Sequence, residues 1–266
     1  MDKKDDMRTG NDCAGKGGIY VIGTGPGALD HLTVRAKERL AVAEHVVGYT
    51  RYVDLIMPLV KDKELFTTGM THEVDRCKKA VELAIAGKKV AVVSSGDAGI
   101  YGMAGLILQL KLEYPEAANI PIEVVPGVPA FVSASGILGA PLMHDFASIS
   151  LSDLLTPWEK IEGRVKAAAQ ADFVIIFYNP KSASRVSGLS KAMRVVEQFR
   201  AGNTPVGIVR NASREGEETI ITTLGNFTQY YDSVDMLTIV IIGNESTFMA
   251  DGRMVTPRGY REVRRI

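Results

Sequence analysis

Cysteine is scarce: the 266 residues hold only Cys13 and Cys77, with no CxxC pair and no Cys/His cluster. That supports neither a disulfide framework nor a metal site, and it fits a reducing compartment, so a cytoplasmic protein without a bound metal is expected. Net charge is absent too, because 31 Lys and Arg balance 31 Asp and Glu. Nucleic-acid binders usually carry a basic excess, so no nucleic-acid partner is expected, though a local basic patch for an acidic small molecule is allowed. Long apolar runs are missing. The longest, 173–178 and 237–242, have strand length and fall far short of the roughly 18 residues of a membrane span, so no membrane partner is expected either. The first 18 residues are polar and glycine-rich without an apolar core, which reads as a flexible arm rather than a signal peptide.

What is present is an ordinary globular composition, 46% hydrophobic and 23% charged, over a length that suits one large or two modest domains. The chain is organised around residues 90–104, VAVVSSGDAGIYGMA. An apolar strand ends in a loop of small residues, and a helix-competent run follows. Gly96, Gly99 and Gly102 leave room for a ligand near the backbone, and Asp97 is the only charge in the loop. Ligands of open α/β sheets bind where strands end at their carboxyl side, so a small-molecule site is expected here.

Before this stretch, residues 19–22 read as a first strand, followed by Gly23-Thr24-Gly25-Pro26-Gly27 and a helix from Val34 with Thr33 as its N-cap. This is not a complete dinucleotide fingerprint. Ala28 stands at the third glycine position, Pro26 removes a donor, and the second strand at 46–49 lacks the acidic residue that holds a ribose. A short helix over 51–60 and a helix opening at 69–73 come next. Glu73 and Arg76 can pair at i,i+3 there, or serve a substrate. After the central loop, Ile100–Leu112 reads as an apolar helix, 122–125 as the fourth strand, and 130–138 as a helix of small residues. Strand–helix alternation over this half implies a parallel sheet. Gly139-Ala140-Pro141 breaks the pattern, which gives an N-terminal α/β domain over 19–141 and a C-terminal α/β domain over 142–266. In the latter, strands are expected at 146–151, up to Tyr178, at 205–209, 219–224 and 237–242, with helices over 154–170 and from Arg185 to Arg200 capped by Ser184.

These motifs together resemble the tetrapyrrole methylases, the class III S-adenosylmethionine-dependent methyltransferases. The resemblance rests on Gly23–Gly27 with Leu32-Thr33 and on Ser94-Ser95-Gly96-Asp97 followed by Ile100–Ala104. Val47-Gly48-Tyr49 with Tyr52, Gly69-Met70 with Glu73 and Arg76, Tyr178-Asn179-Pro180 with Ser182 and Arg185, and Arg210-Asn211-Ala212 with Arg214 and Glu217 are similar to the branch acting on precorrin-3B or cobalt-factor III in cobalamin (corrin) biosynthesis. It runs from about Gly18 to Asn244.

The resemblance implies a homodimer of two-domain α/β chains with S-adenosyl-L-methionine in the cleft between the domains, and S-adenosyl-L-homocysteine as product. Carried over by residue, the cofactor contacts are Pro26, Ser95, Gly96, Asp97, Ile100, Pro129, Ala130, Asn179, Ala212 and Thr238. Two positions depart from the family's pattern: Pro129-Ala130 stands where relatives often have Thr-Ala, and Asn179 where many have Met. The implied reaction methylates C-17 and contracts the ring to precorrin-4 or cobalt-precorrin-4. Contraction requires proton transfers, for which Glu73, Asp97 and Tyr101 are the candidate catalytic residues. His72 is a fourth candidate, more simply read as a helix-start residue. Carboxylates on the macrocycle require cations, and Arg51, Arg185 and Arg214 lie in or beside strand-end loops, as substrate ligands or as solvated charges. Methylation at C-11 or C-20, or a non-catalytic tetrapyrrole-binding protein, are the alternatives.

Overall fold

The computed structural model describes residues 17–260. Cys13 and nearly all of the expected N-terminal arm lie outside the described residues. The chain divides into two compact units, one through Ala130 and one from Phe131 on, ahead of the Gly139-Ala140-Pro141 break.

In the first unit each strand is followed by helix before the next strand. Its elements are β1 (Gly18–Gly23), α1 (Val34–Val42), β2 (His45–Tyr49), α2 (Thr50–Leu55), α3 (Met57–Val60), β3 (Glu64–Thr68), α4 (Glu73–Ile85), β4 (Lys89–Ser94), α5 (Ala104–Lys111) and β5 (Ile122–Val125). The five strands form a parallel sheet in the order β3-β2-β4-β1-β5. Helices cover both faces, so β1 and β4 are apolar on both sides, as buried parallel strands must be. Ile19, Val21, Val90 and Val92 pack with α4 and α5 residues such as Val81 and Ile107, while Tyr20, Ile22, Ala91 and Val93 pack with Leu40, Val53 and Val60 on the other face. The chain leaves β1 toward β2 and leaves β4 toward β5, in opposite directions. The neighbours β1 and β4 therefore flank a topological switch point, where crevices form at strand carboxyl ends.

The second unit contains α6 (Ala130–Leu138), β6 (Gly139–Ala140), β7 (Phe146–Ser150), α7 (Trp158–Gln170), β8 (Val174–Tyr178), α8 (Gly188–Val196), β9 (Pro205–Arg210), β10 (Glu218–Thr223), a 3-10 segment (Leu224–Ser233), β11 (Thr238–Ile242), β12 (Phe248–Ala250) and β13 (Arg253–Val255). Its main sheet has the order β10-β9-β11-β8-β7 and is mixed: β7 and β8 run parallel, and β11 runs against both β8 and β9. The carboxyl ends of β7, β8 and β9 therefore share one edge with the start of β11. A small sheet has the order β12-β13-β6, with β6 paired to β13, so Gly139-Ala140 is a strand as well as a break.

Thr33 caps α1 as expected, its hydroxyl accepting from Ala36 N at 3.1 Å. Other boundaries differ. The strand at Ile122–Val125 is the fifth rather than the fourth, because Glu64–Thr68 forms an exposed edge strand. The helix expected from Ile100 begins at Ala104, and that expected from Arg185 begins at Gly188 without a side-chain cap.

Candidate functional site

In the first unit every residue expected at the site follows the carboxyl end of a parallel strand. Pro26 follows β1, Arg51 follows β2, Glu73 follows β3, Ser95–Tyr101 follow β4, and Pro129 and Ala130 follow β5. One sheet edge therefore gathers them. Gly25 and Gly96 exchange backbone hydrogen bonds of 3.0 and 2.7 Å across the switch point, and Thr24 donates from both its N–H and its hydroxyl to Ser94 O. The ends of β1, β4 and β5 meet through three glycines. A Cβ on Gly23 would lie 2.7 Å from Gly127 N and Gly96 O, and a Cβ on Gly127 would lie 2.2 Å from Gly96 O. Gly96 itself has φ +69, a region that costs glycine nothing.

Asp97 ties two of these loops together. One carboxylate oxygen accepts from Gly99 N at 2.8 Å and the other from Gly127 N at 2.9 Å. Each oxygen keeps a further acceptor site for a ligand hydroxyl. Beyond it the backbone is exposed at Gly99 and Gly102. Gly102 also has an internal reason to be glycine, since a Cβ there would meet Ala98 O at 2.5 Å. Tyr101 is 54% exposed and left-handed, with φ 54, the kind of strain that clusters at functional loops. Ile100 is half-buried beside it.

Glu73 does pair with Arg76, at 3.1 Å. The buried Arg76 guanidinium also donates to Thr68 Oγ1 at 2.7 Å and Gly69 O at 2.8 Å, closing the β3–α4 turn. His72 is exposed and bonds Asp75 at 2.8 Å, in keeping with its helix-start reading. Arg51 is exposed on α2.

The second unit likewise gathers its expected residues at one edge. Asn179 follows β8, Ala212 and Arg214 follow β9, Thr238 opens β11 opposite Arg210, and Arg185 lies between β8 and α8. Asn179 donates to Ser150 Oγ at 3.0 Å, and Asn179, Asn211 and Ser213 are all left-handed. Ala212 is buried. Thr238 is buried, its hydroxyl bonded to Asp235 Oδ1 at 2.9 Å. Burial works against ionisation of Asp235. The hydrogen bond from Arg210, the Leu237 N–H and the Thr238 hydroxyl outweigh it and hold the carboxyl below its ordinary range. Arg185 is half-buried. It donates to Leu151 O and Asn179 O at 3.4 Å and to Met236 Sδ at 3.1 Å, so it bridges loop bases instead of ending a solvated helix.

The family model described as Tetrapyrrole (Corrin/Porphyrin) Methylases matches residues 18–228. The chain belongs to the tetrapyrrole methylase family. It is similar to the "Cobalt-factor III methyltransferase" of Priestia megaterium, with 48% identity over 248 residues, 92% of this chain and 46% of that protein. It thus spans about half of that relative's length. It is also similar to the "Probable cobalt-factor III C(17)-methyltransferase" of Salmonella typhimurium, with 50% identity over 242 residues, 91% of this chain and 99% of that protein. Among solved structures, that of the methyltransferase CobJ matches with a TM-score of 0.86 and 35% identity, covering 91% of this chain and 100% of that one.

In this tetrapyrrole methylase the residues that lock the loops carry a weaker sequence signal than the loops themselves. Gly23 and Gly127 do this through the close approach of their backbones, and Ser94 through its hydroxyl, which accepts from Met103 N at 3.2 Å. The signal available for the second unit was an asparagine directly after each of two strands, since Asn tolerates the left-handed region. Among the described residues no cluster of His, Cys, Asp and Glu could hold a metal ion, and no helix is long and apolar enough to cross a membrane.

Proposed function

We propose that this chain is an S-adenosylmethionine-dependent C-methyltransferase of cobalamin biosynthesis, methylating C-17 of cobalt-factor III or precorrin-3B with contraction of the ring. The observation that carries the reading is the edge at which Pro26, Ser95–Tyr101 and Pro129 converge through three close-packed glycines, in a chain of this family. Both cobalt-factor III relatives named above favour the cobalt-bearing macrocycle as substrate.

The residues fit a thioether nucleoside. The exposed backbone at Gly99 and Gly102 admits close approach, and Asp97 retains acceptor capacity beside it. When bound, S-adenosylmethionine supplies a methyl group already activated on a sulfonium, and S-adenosylhomocysteine is the product. The chain's task is therefore alignment, for which holding two reactants in attack geometry supplies up to about 7–11 kcal/mol. Asp97 orders the β4 and β5 loops, and Pro26, Ser95, Gly96, Ile100, Pro129 and Ala130 line the cofactor. Asn179, Ala212 and Thr238 add contacts from the second unit, and Arg51, Arg185 and Arg214 meet carboxylates of the substrate. Glu73 and Tyr101 move protons during contraction. The protein acts in the cytoplasm as a homodimer, on a small-molecule tetrapyrrole, without a nucleic-acid or membrane partner.

Anaerobic incubation with S-adenosylmethionine and cobalt-factor III tests the reading. A product heavier by one methyl, with the changed absorbance of a contracted ring, is expected. Methylation without the spectral change would point to another ring position. No methylation, with no binding of S-adenosylhomocysteine by calorimetry, would overturn the reading.

A further inference from the structure

The β7–α7 loop of the second unit is anchored at both ends and bare at its tip. Leu151 is buried in the core, its N–H donating to Tyr178 O at 2.9 Å and its carbonyl accepting from Arg185. Trp158 packs against the same core. Between them Leu154 is 69% exposed and Leu155 is 98% exposed. Val186, on the adjoining β8–α8 loop next to Arg185, is 57% exposed. A single exposed leucine is ordinary, but two adjacent leucines on a loop held at both ends, and a valine on the loop that Arg185 ties to its base, expose aliphatic carbon that water covers at a cost.

On the proposed function given above, we propose that Leu154, Leu155 and Val186 form an apolar lip that receives the flat face of the tetrapyrrole substrate. Two observations choose this occupant. The lip is continuous with the candidate site: Arg185 bonds the base of both loops, and Asn179 donates to Ser150 Oγ at the end of β7. The two loops also carry both exposed aliphatic carbon and a guanidinium at their shared base, which matches a ring with apolar faces and a fringe of carboxylates. By themselves three aliphatic side chains fall far short of the roughly 800 Å² per partner that a stable protein interface buries.

The double variant Leu154→Ser/Leu155→Ser of the full chain tests this. Both side chains are exposed, so the thermal unfolding midpoint should not fall. Absorbance titration with cobalt-factor III should show affinity reduced about tenfold or more, in line with two lost aliphatic contacts. KM should rise in parallel, with kcat and S-adenosylhomocysteine affinity unchanged. Equal macrocycle affinity in the variant and the unaltered chain overturns the lip. So does a change of oligomeric state by sedimentation, which would make the leucines a surface between copies. If the unaltered chain binds the macrocycle without methylating it, the proposed function fails alone, and the titration still decides the lip. If it does not bind the macrocycle at all, both fail.

Discussion

Asp97 reaches across the carboxyl edge of the first sheet to accept the amide hydrogen of Gly127 at 2.9 Å, while its other oxygen holds Gly99 at 2.8 Å. One carboxylate thereby fixes the β4 loop to the β5 loop. Asp97→Asn keeps the size but turns one acceptor into a donor that faces an N–H. An amide left without its partner at a half-buried position costs about 1–3 kcal/mol. Calorimetry should show S-adenosylhomocysteine affinity reduced at least about tenfold, with a lowered unfolding midpoint. Unchanged affinity would remove Asp97 from the cofactor site.

Much of this edge was legible because strand ends in a parallel sheet must share a side. The apolar runs of β1 and β4, followed by glycine-rich loops, identify the layer and the edge of the candidate site. What was not legible depended on pairing. Glu64–Thr68 is too exposed and polar to announce a strand and owes its form to β2. Gly139-Ala140 is too short to read as more than a break and becomes a strand only against Met254-Val255. Residues 100–103 look helical by composition, yet Tyr101 is left-handed and the helix begins only at Ala104. Arg185 offered the opposite difficulty. Its charge was evident, but its bonds to Leu151 O and Met236 Sδ join segments distant in sequence.

The glycine contacts make a paired prediction. Gly127→Ala places a methyl 2.2 Å from Gly96 O and 2.6 Å from Gly23 O, both backbone atoms that no side-chain rotation can relieve. This variant should lose S-adenosylhomocysteine binding and unfold at lower temperature. Gly105→Ala, in the first turn of α5 with nothing within 4 Å, should instead keep or slightly raise stability, by less than about 1 kcal/mol of helix propensity. Urea denaturation of both separates site packing from a general intolerance of substitution.

Asp235 predicts a dependence on acid. Its folded pKa lies below the unfolded value of about 3.9, so its contribution is complete above that value and is lost as pH falls through the lower folded one. The side chain is 42% exposed, so solvent screening keeps the effect small. Asp235→Asn should be less stable than the unaltered chain at pH 7, and the difference should shrink as pH falls below about 4. Urea midpoints across that range check it, and a difference independent of pH would show that the ionised form is not what Arg210 and Thr238 stabilise.

The Glu73–Arg76 pair sets the last test, because the pair itself is compatible with two roles. Arg76 is nearly buried and closes the turn through Thr68 and Gly69, whereas the Glu73 side chain is 46% exposed. A purely structural Glu73 would cost stability on conversion to Gln, because the buried Arg76 guanidinium would lose its carboxylate partner, but it would leave the rate of contraction relative to methyl transfer unchanged. A general acid or base would lose about 10²-fold or more in the step that moves its proton. Glu73→Gln and Tyr101→Phe should therefore keep methyl transfer, read by mass, while at least one slows ring contraction, read by absorbance. Full contraction rates in both would remove these residues from proton transfer and leave Glu73 as the partner that steadies Arg76.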